Sequence, residues 1–359
     1  MTDDDAGSAP ADERARLAAL LRDLGATDDE VAAALATGTV GALAVAVVLR
    51  GGRSPVTARA AADAAGLSEA ELAEVWRGLG LSTAAELPGG VPPRLAEALP
   101  VITLATREWL GPQTGLGLAR VIGATTAQLA EAVVDAFRVQ WEMPELAGGT
   151  SYGDVIASYA ELVGASLPAL ESLVAGTFEA HLVRVAAGAW APDDENLAAR
   201  RTLFVAFADL VGYTALTRTM SPGELARMLG AFEEVVAAAV AGHGGRLVKQ
   251  IGDGAMFVTD SPADGCAAAL EICEQVSARD LPPVRIGADV GPVLSRWGDY
   301  YGDVVNRAAR LVALARPGSV VVTADVAAGL GRDWPVEQLP EQALKGFQAP
   351  AVTYRLVAR

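Results

Sequence analysis

The chain changes its pattern near residue 200, and that change limits the folds open to it. From Leu203 to Ala208 every residue is apolar, and Asp209 closes the run. A short unbroken apolar run ended by a polar residue reads as a strand buried on both faces. Beyond it, strand-like and helix-like stretches alternate. Strands are predicted at 203–208, 245–251, 255–259, 283–289 and 318–323, with closing strands near 335–338 and 351–357. Helices are predicted at 221–242, 262–278 and 302–315, with a short one near 325–330. That alternation predicts an α/β sandwich over 201–359. Before residue 200 no segment alternates with period two. From Glu13 to about Leu182 apolar residues recur at helical spacing between Pro and Gly breaks, which predicts an all-helical domain of roughly eight to ten short helices over 13–182. Residues 1–12 are small, polar and acidic and read as a disordered tail. Residues 183–200 read as a connector with a turn at Ala191-Pro192-Asp193. The fold class is therefore α+β, helical first and sandwich second.

Charge separates the same two parts. The net charge is −16, and residues 1–200, with 13 basic and 27 acidic side chains, carry −14 of it. Nucleic-acid binding needs clustered Lys and Arg, so this balance argues against it. Residues 56–81 have the form of a helix-turn-helix, with Ser68 and Glu71 spaced as a capping box. Its second helix carries Glu69, Glu71 and Glu74 against Arg77. Phosphate would repel that face, so the unit reads as a packing hairpin. Two cysteines, Cys266 and Cys273, build no disulfide framework and point to a reducing, cytoplasmic setting. The acidic start lacks the basic n-region of a secretory leader. Val31–Leu49 is uncharged for nineteen residues, but Thr37, Gly38, Thr39 and Gly41 interrupt it. It reads as a Gly-broken helix pair, and no membrane span is expected.

The chemistry-bearing residues gather after residue 200. Asp209 ends a buried strand, and Asp253 sits in a Gly-Asp-Gly connection between two strands. Were those strands neighbours, the carboxylates would converge with room for a hard cation, which takes one or two carboxylates plus substrate phosphates. Lys249, inside an apolar strand, must reach solvent, a carboxylate or a ligand. Asp299 lies in a Gly-rich aromatic loop. Asn306 and Arg310, at i and i+4, project from one helix face and suit a sugar oxygen and a phosphate charge.

Four segments carry these residues: FADLVGYT (207–214), GGRLVKQIGDG (244–254), VRIGADVGPV (284–293) and GDYYGDVVNRAAR (298–310). Their order, spacing and identity resemble the class III nucleotide cyclases, over about residues 200–357. The resemblance implies a ferredoxin-like βαββαβ sandwich with additions. It implies an adenylyl cyclase that converts ATP to 3′,5′-cyclic AMP and pyrophosphate. By position, Asp209, Asp253 and the Leu210 carbonyl match the metal site for two divalent ions, Mg²⁺ or Mn²⁺. Lys249 and Asp299 match the pair that reads adenine, where guanylyl cyclases carry Glu and a Cys-like residue. Asn306 and Arg310 match the ribose-orienting and phosphate-stabilising pair. Arg285 and Lys345, the latter in Leu344-Lys345-Gly346-Phe347, match phosphate-holding positions. The ribose 3′-hydroxyl would attack the α-phosphorus in line with no protein base. His243, in a turn before Gly244-Gly245, reads as structural.

In such cyclases the aspartates and the Asn/Arg pair of one site come from different subunits, so the resemblance also implies a homodimer. The first half resembles, less specifically, the helical regulatory domains found ahead of mycobacterial cyclases. Its carboxylates and His181 suggest protons as an input, and its apolar helices suggest a fatty acid or another apolar ligand.

Overall fold

The computed structural model describes residues 11–54, 56–81, 90–189, 200–331, 334–341 and 351–357. The chain divides into two compact units, Met1–Pro192 and Asp193–Arg359. The first is helical: α1 (Ala11–Asp23), α2 (Asp28–Thr37), α3 (Val40–Arg50), α4 (Ala58–Ala65), α5 (Glu69–Gly78), α6 (Pro93–Ala105), α7 (Pro112–Phe137), α8 (Met143–Ala147) and α9 (Tyr152–Ala189). π-helical turns at Thr106–Leu110 and Arg138–Glu142 follow α6 and α7.

The uncharged Val31–Leu49 stretch forms the expected broken pair. Gly38, at φ 71°, ends α2 in the left-handed conformation that glycine adopts without strain. Val31, Ala34, Val40, Leu43 and Val47 then bury against Leu17 and Leu21 of α1 and Ile156 of α9. The 56–81 unit is the packing hairpin expected. Ala61, Ala62 and Ala65 of α4 and Leu72 and Trp76 of α5 bury together with Val91 and Leu99, while Glu69 and Glu74 stay exposed.

Two expectations need correction. The helices are not all short: α7 has 26 residues and α9 has 38, the latter about 57 Å at the helical rise. The expected connector at 183–200 is also helical at its start, because α9 continues to Ala189. Its remainder, 190–199, lies outside the described residues. Much apolar surface of α9 stays exposed, including Leu173, Phe178, Leu182 and Val183. No helix among the described residues is long and apolar enough to cross a membrane.

The second unit runs β1 (Arg200–Leu210), α10 (Tyr213–Leu216), α11 (Pro222–Gly242), β2 (Arg246–Ile251), β3 (Gly254–Thr259), α12 (Pro262–Ala278), β4 (Val284–Arg296), β5 (Asp299–Tyr301), α13 (Asp303–Leu311), β6 (Ser319–Thr323), α14 (Ala324–Gly329), β7 (Val336–Gln338) and β8 (Thr353–Leu356). The sheet order is β2-β3-β1-β4-β6-β8-β7, with β5 paired to β4. The β4–β6 pair is parallel and the other pairs are antiparallel. The β2-β3-β1-β4 portion, with α11 and α12, is the ferredoxin-like βαββαβ core.

Burial follows the pleat. Phe204, Ala206, Ala208 and Leu210 join the core formed with α11 and α12. Leu203 and Val205 point the other way, to Val293, Tyr300, Val304 and Ala308. The expected strand 283–289 is longer than anticipated. It continues to Arg296 and returns as β5 through Trp297-Gly298, both at positive φ (55° and 79°), as in a type I′ hairpin turn.

A largely buried ion pair ties α3 to α2 in the first unit. Arg50, buried at the end of α3, donates to both oxygens of Glu30 (2.5 and 3.2 Å). Glu30 also closes the capping box of Thr27 at the start of α2. The Arg50 hydrogen bond, with help from Thr27, holds the Glu30 carboxyl below its usual range. A lowered folded pKa adds stability above the unfolded value, and that stability fades as pH falls through the folded one. Arg50→Met is therefore expected to destabilise the first unit by about 2 kcal/mol at pH 7. In urea unfolding followed by circular dichroism the difference should shrink as the pH falls below the ordinary glutamate range and Glu30 protonates. An equal loss at both pH values would contradict the pairing.

Candidate active site

The site starts from β1. Its antiparallel pairing sets Asp209 opposite Gly254 of β3 on one side and Arg285 of β4 on the other. The β2–β3 connection carries Asp253, whose carbonyl accepts the Leu210 N–H at 3.2 Å. The strand end holding Asp209 is thereby fastened to the turn holding Asp253. A Cβ on Gly254 would sit 2.9 Å from the Ala208 carbonyl oxygen and 3.7 Å from Asp209 Oδ1, so glycine keeps this corner open. Burial and the Asp209 charge raise the Asp253 pKa, with its own backbone N–H and Arg285 opposing.

Arg285 Nη2 donates to Asp209 Oδ2 at 2.8 Å, and its buried Nε has no partner among the described residues. A cleft of about 320 Å³ opens here, lined by Phe207, Asp209, Ile251, Arg285, Ala309 and Val312 among others. Asp209 lines this cleft and lies close enough to Asp253 for their charges to interact, and two neighbouring carboxylates fit a hard divalent cation whose shell is completed by phosphate oxygens. Asp209 and Asp253 would supply the protein oxygens, together with the Leu210 carbonyl. The orphaned Arg285 Nε–H is a donor suited to an anionic oxygen.

A second group forms across the β2 and β4–β5 hairpins. Lys249 Nζ donates to Asp299 Oδ2 at 2.5 Å. Asp299 Oδ1 accepts the Tyr300 N–H at 2.8 Å, which fixes the carboxylate plane. Tyr300 is buried, and the Arg246 guanidinium lies 5.0 Å from its ring centre. A donor and an acceptor are thus prepositioned side by side.

The third group stands on α13. Val304, Ala308 and Leu311 face inward, leaving Asn306 and Arg310 exposed on the other side. Neither side chain has a hydrogen-bond partner among the described residues. The helix lies close on β4, because a Cβ on Gly287 would meet the Val312 nitrogen at 2.3 Å and the Ala308 oxygen at 2.5 Å.

His243 Nε2 pairs with Glu271 Oε2 at 2.8 Å, linking the end of α11 to α12. His181 is exposed on α9, in the first unit. Lys345 lies outside the described residues. Residue-by-residue reading missed Arg246, Tyr300, Gly287 and Asp289. Asp289 had a usable signal, a lone carboxylate inside the apolar strand VRIGADVGPV.

The chain matches the family described as "Adenylate and Guanylate cyclase catalytic domain" over residues 199–358. It is 35% identical over 357 residues to an uncharacterised protein of Mycobacterium tuberculosis, covering 98% of this chain and 92% of that one. It is 33% identical over 264 residues to an adenylate cyclase of Streptomyces coelicolor, covering 73% and 68% of the two chains. An adenylate cyclase of Glutamicibacter nicotianae is 31% identical over 303 residues, covering 79% and 74%. The chain belongs to the adenylate and guanylate cyclase family. All three of these likenesses extend over more of the chain than the cyclase unit alone.

In this class III cyclase the seat of α13 is stringent. Gly287→Ala would drive a methyl into helix backbone that cannot rotate away. We expect a loss of about 1–3 kcal/mol in thermal or urea unfolding, with reduced nucleotide turnover. Wild-type stability and turnover would show that α13 is not held this closely.

Proposed function

We propose that this cyclase is an adenylyl cyclase, converting ATP to 3′,5′-cyclic AMP and pyrophosphate at sites shared by two copies of the chain. The Lys249–Asp299 pair carries the reading of the base. Adenine offers an acceptor at N1 beside a donor at its 6-amino group, and an ammonium beside a carboxylate matches that order. Guanine presents the reverse order on the same edge. The adenylate cyclase names of the Streptomyces coelicolor and Glutamicibacter nicotianae relatives agree with this choice.

In this reading Lys249 and Asp299 hold the purine, Asn306 orients the ribose, and Arg310 meets the charge that develops on the α-phosphate. Arg285 and Lys345 hold the terminal phosphates. Asp209 and Asp253 present their carboxylates, with the Leu210 carbonyl, to Mg²⁺ or Mn²⁺. Two bound divalent ions would lower the pKa of the 3′-hydroxyl and neutralise the leaving pyrophosphate. The exposure of Asn306 and Arg310 favours a site completed by a second copy. A C2 dimer supplies two equivalent sites. A cytoplasmic location goes with this substrate and with the unpaired Cys266 and Cys273.

Base choice is directly testable. Lys249→Glu combined with Asp299→Cys is expected to lower ATP turnover at least about a hundredfold, because a base whose donors and acceptors are mismatched in its pocket is strongly rejected. Unchanged ATP turnover would remove both residues from the purine pocket.

The first unit belongs to the proposal as a regulator whose input is protons or an apolar ligand such as a fatty acid. The exposed apolar side chains of α9 and an apolar cleft of about 180 Å³ among α5, α6 and α7 favour the apolar ligand. For protons the support is the acidic surplus of residues 1–200 and His181 on α9. The comparison is the pH–activity curve of the full chain against that of residues 195–359, with and without fatty acid. The full chain should be less active near neutrality, and acid or fatty acid should narrow the gap. Identical curves of equal height between about pH 5.5 and 8, unmoved by fatty acid, would make the first unit a passive scaffold.

A further inference from the structure

Gly287, Asp289 and Gly291 alternate along β4 and so share one face, the face on which α13 lies. A Cβ on Gly291 would meet Val304 Cγ2 at 2.8 Å, and one on Gly287 would meet the far end of the helix. Between these two close approaches stands Asp289, with no solvent exposure. Its Oδ2 accepts from Arg307 Nε of α13 at 2.7 Å. Its Oδ1 accepts from Thr323 Oγ1 at 2.7 Å and from the Val290 N–H at 2.8 Å. Thr323 in turn caps α14, so the carboxylate joins β4, the end of β6 and α13.

A buried carboxylate is an expensive way to join three elements, since apolar side chains of similar volume would often be neutral or better. What it adds is direction. The inward contacts of Val304, Ala308 and Leu311 are apolar and tolerate a small roll of the helix about its axis. A hydrogen bond weakens steeply with angle and does not. Arg307 adjoins Asn306 and precedes Arg310 by three residues, so a roll that breaks the Arg307 contact moves both.

We propose that Asp289 is a positioning residue for the cyclisation: through Arg307 it fixes the roll of α13 and thereby aims Asn306 and Arg310. The proposal rests on the roles given above to those two residues.

Asp289→Asn keeps the size and one acceptor oxygen but faces Arg307 with an amide. In the full chain, kcat for ATP is expected to fall about 10–100-fold. KM should stay within about twofold, because the groups assigned to the base and terminal phosphates are untouched. Arg307→Lys, which keeps the charge and loses the fixed Nε–H, is the milder variant should Asp289→Asn fold poorly, and its kcat loss should be smaller. Combining Asp289→Asn with Arg307→Gln restores a neutral hydrogen bond and should recover part of kcat.

Mixed dimers separate aiming from general damage. Asp289→Asn mixed with Asp209→Ala should regain activity, since one shared site then has intact aspartates and an intact α13. Asp289→Asn mixed with Asn306→Ala should not, since every site then has a damaged α13. Asp209→Ala mixed with Asn306→Ala is the control. If that control stays inactive in dimers shown to form, shared sites are wrong, and the split between kcat and KM still decides the role of Asp289. Unchanged kcat in both Asp289→Asn and Arg307→Lys, a change confined to KM, or equal recovery with both mixing partners would overturn the proposal.

Discussion

Everything at the cyclase site depends on where β1 lies in the sheet. It is antiparallel to β3 on one side and to β4 on the other, and one register sets Asp209 between Gly254 and Arg285. A shift of one residue would turn Phe204, Ala206 and Ala208 out of the α11–α12 core and carry Asp209 to the opposite face. The free energy of burying both faces of this strand therefore also fixes the carboxylate. The Leu210 N–H to Asp253 carbonyl bond then transfers that precision to the neighbouring turn.

Electrostatics at the strand ends is arranged in opposed pairs. Asp209 faces Arg285, and Lys249 faces Asp299. Each carboxylate has a cation within its own chain, so the fold does not leave a cluster of bare negative charge at its most crowded corner. Asp253 has no such direct partner among the described residues, and burial, with the Asp209 charge nearby, pushes its pKa up. A pair formed within one chain is also a preformed donor and acceptor, held in place by the chain's own fold.

Much of this was legible from local pattern. Asp209, Asp253, Lys249, Asp299, Asn306 and Arg310 sit in short motifs whose spacing is preserved by strands and helices of ordinary length. The β4–β5 hairpin was not legible, because Trp297-Gly298 lacks the Asn-Gly or Asp-Gly signal of a tight turn, and a bulky residue at positive φ is uncommon. The length of α9 was hidden by Gly153, Gly164, Pro168 and Gly176, which favour breaks in isolation but lie inside one helix here. The role of Asp289 was hidden by distance along the chain: its partners Arg307 and Thr323 are 18 and 34 residues away. Helical and strand periodicities report on neighbours a few residues apart and carry no trace of such a link.

The close seat of α13 on β4 has a mechanical meaning. Val304 presses where Gly291 leaves room, Ala308 and Val312 press at Gly287, and the buried carboxylate lies between them. A helix keyed to its strand at three points makes a poor moving part. Sliding or tilting it would have to break main-chain contacts and a buried charge pair together. Within one copy, Asn306 and Arg310 therefore travel with the whole sheet as a rigid tool-head. Under the proposed roles of Asn306 and Arg310, any control over their engagement with a nucleotide has to act on the placement of that entire body, not on the helix that bears them.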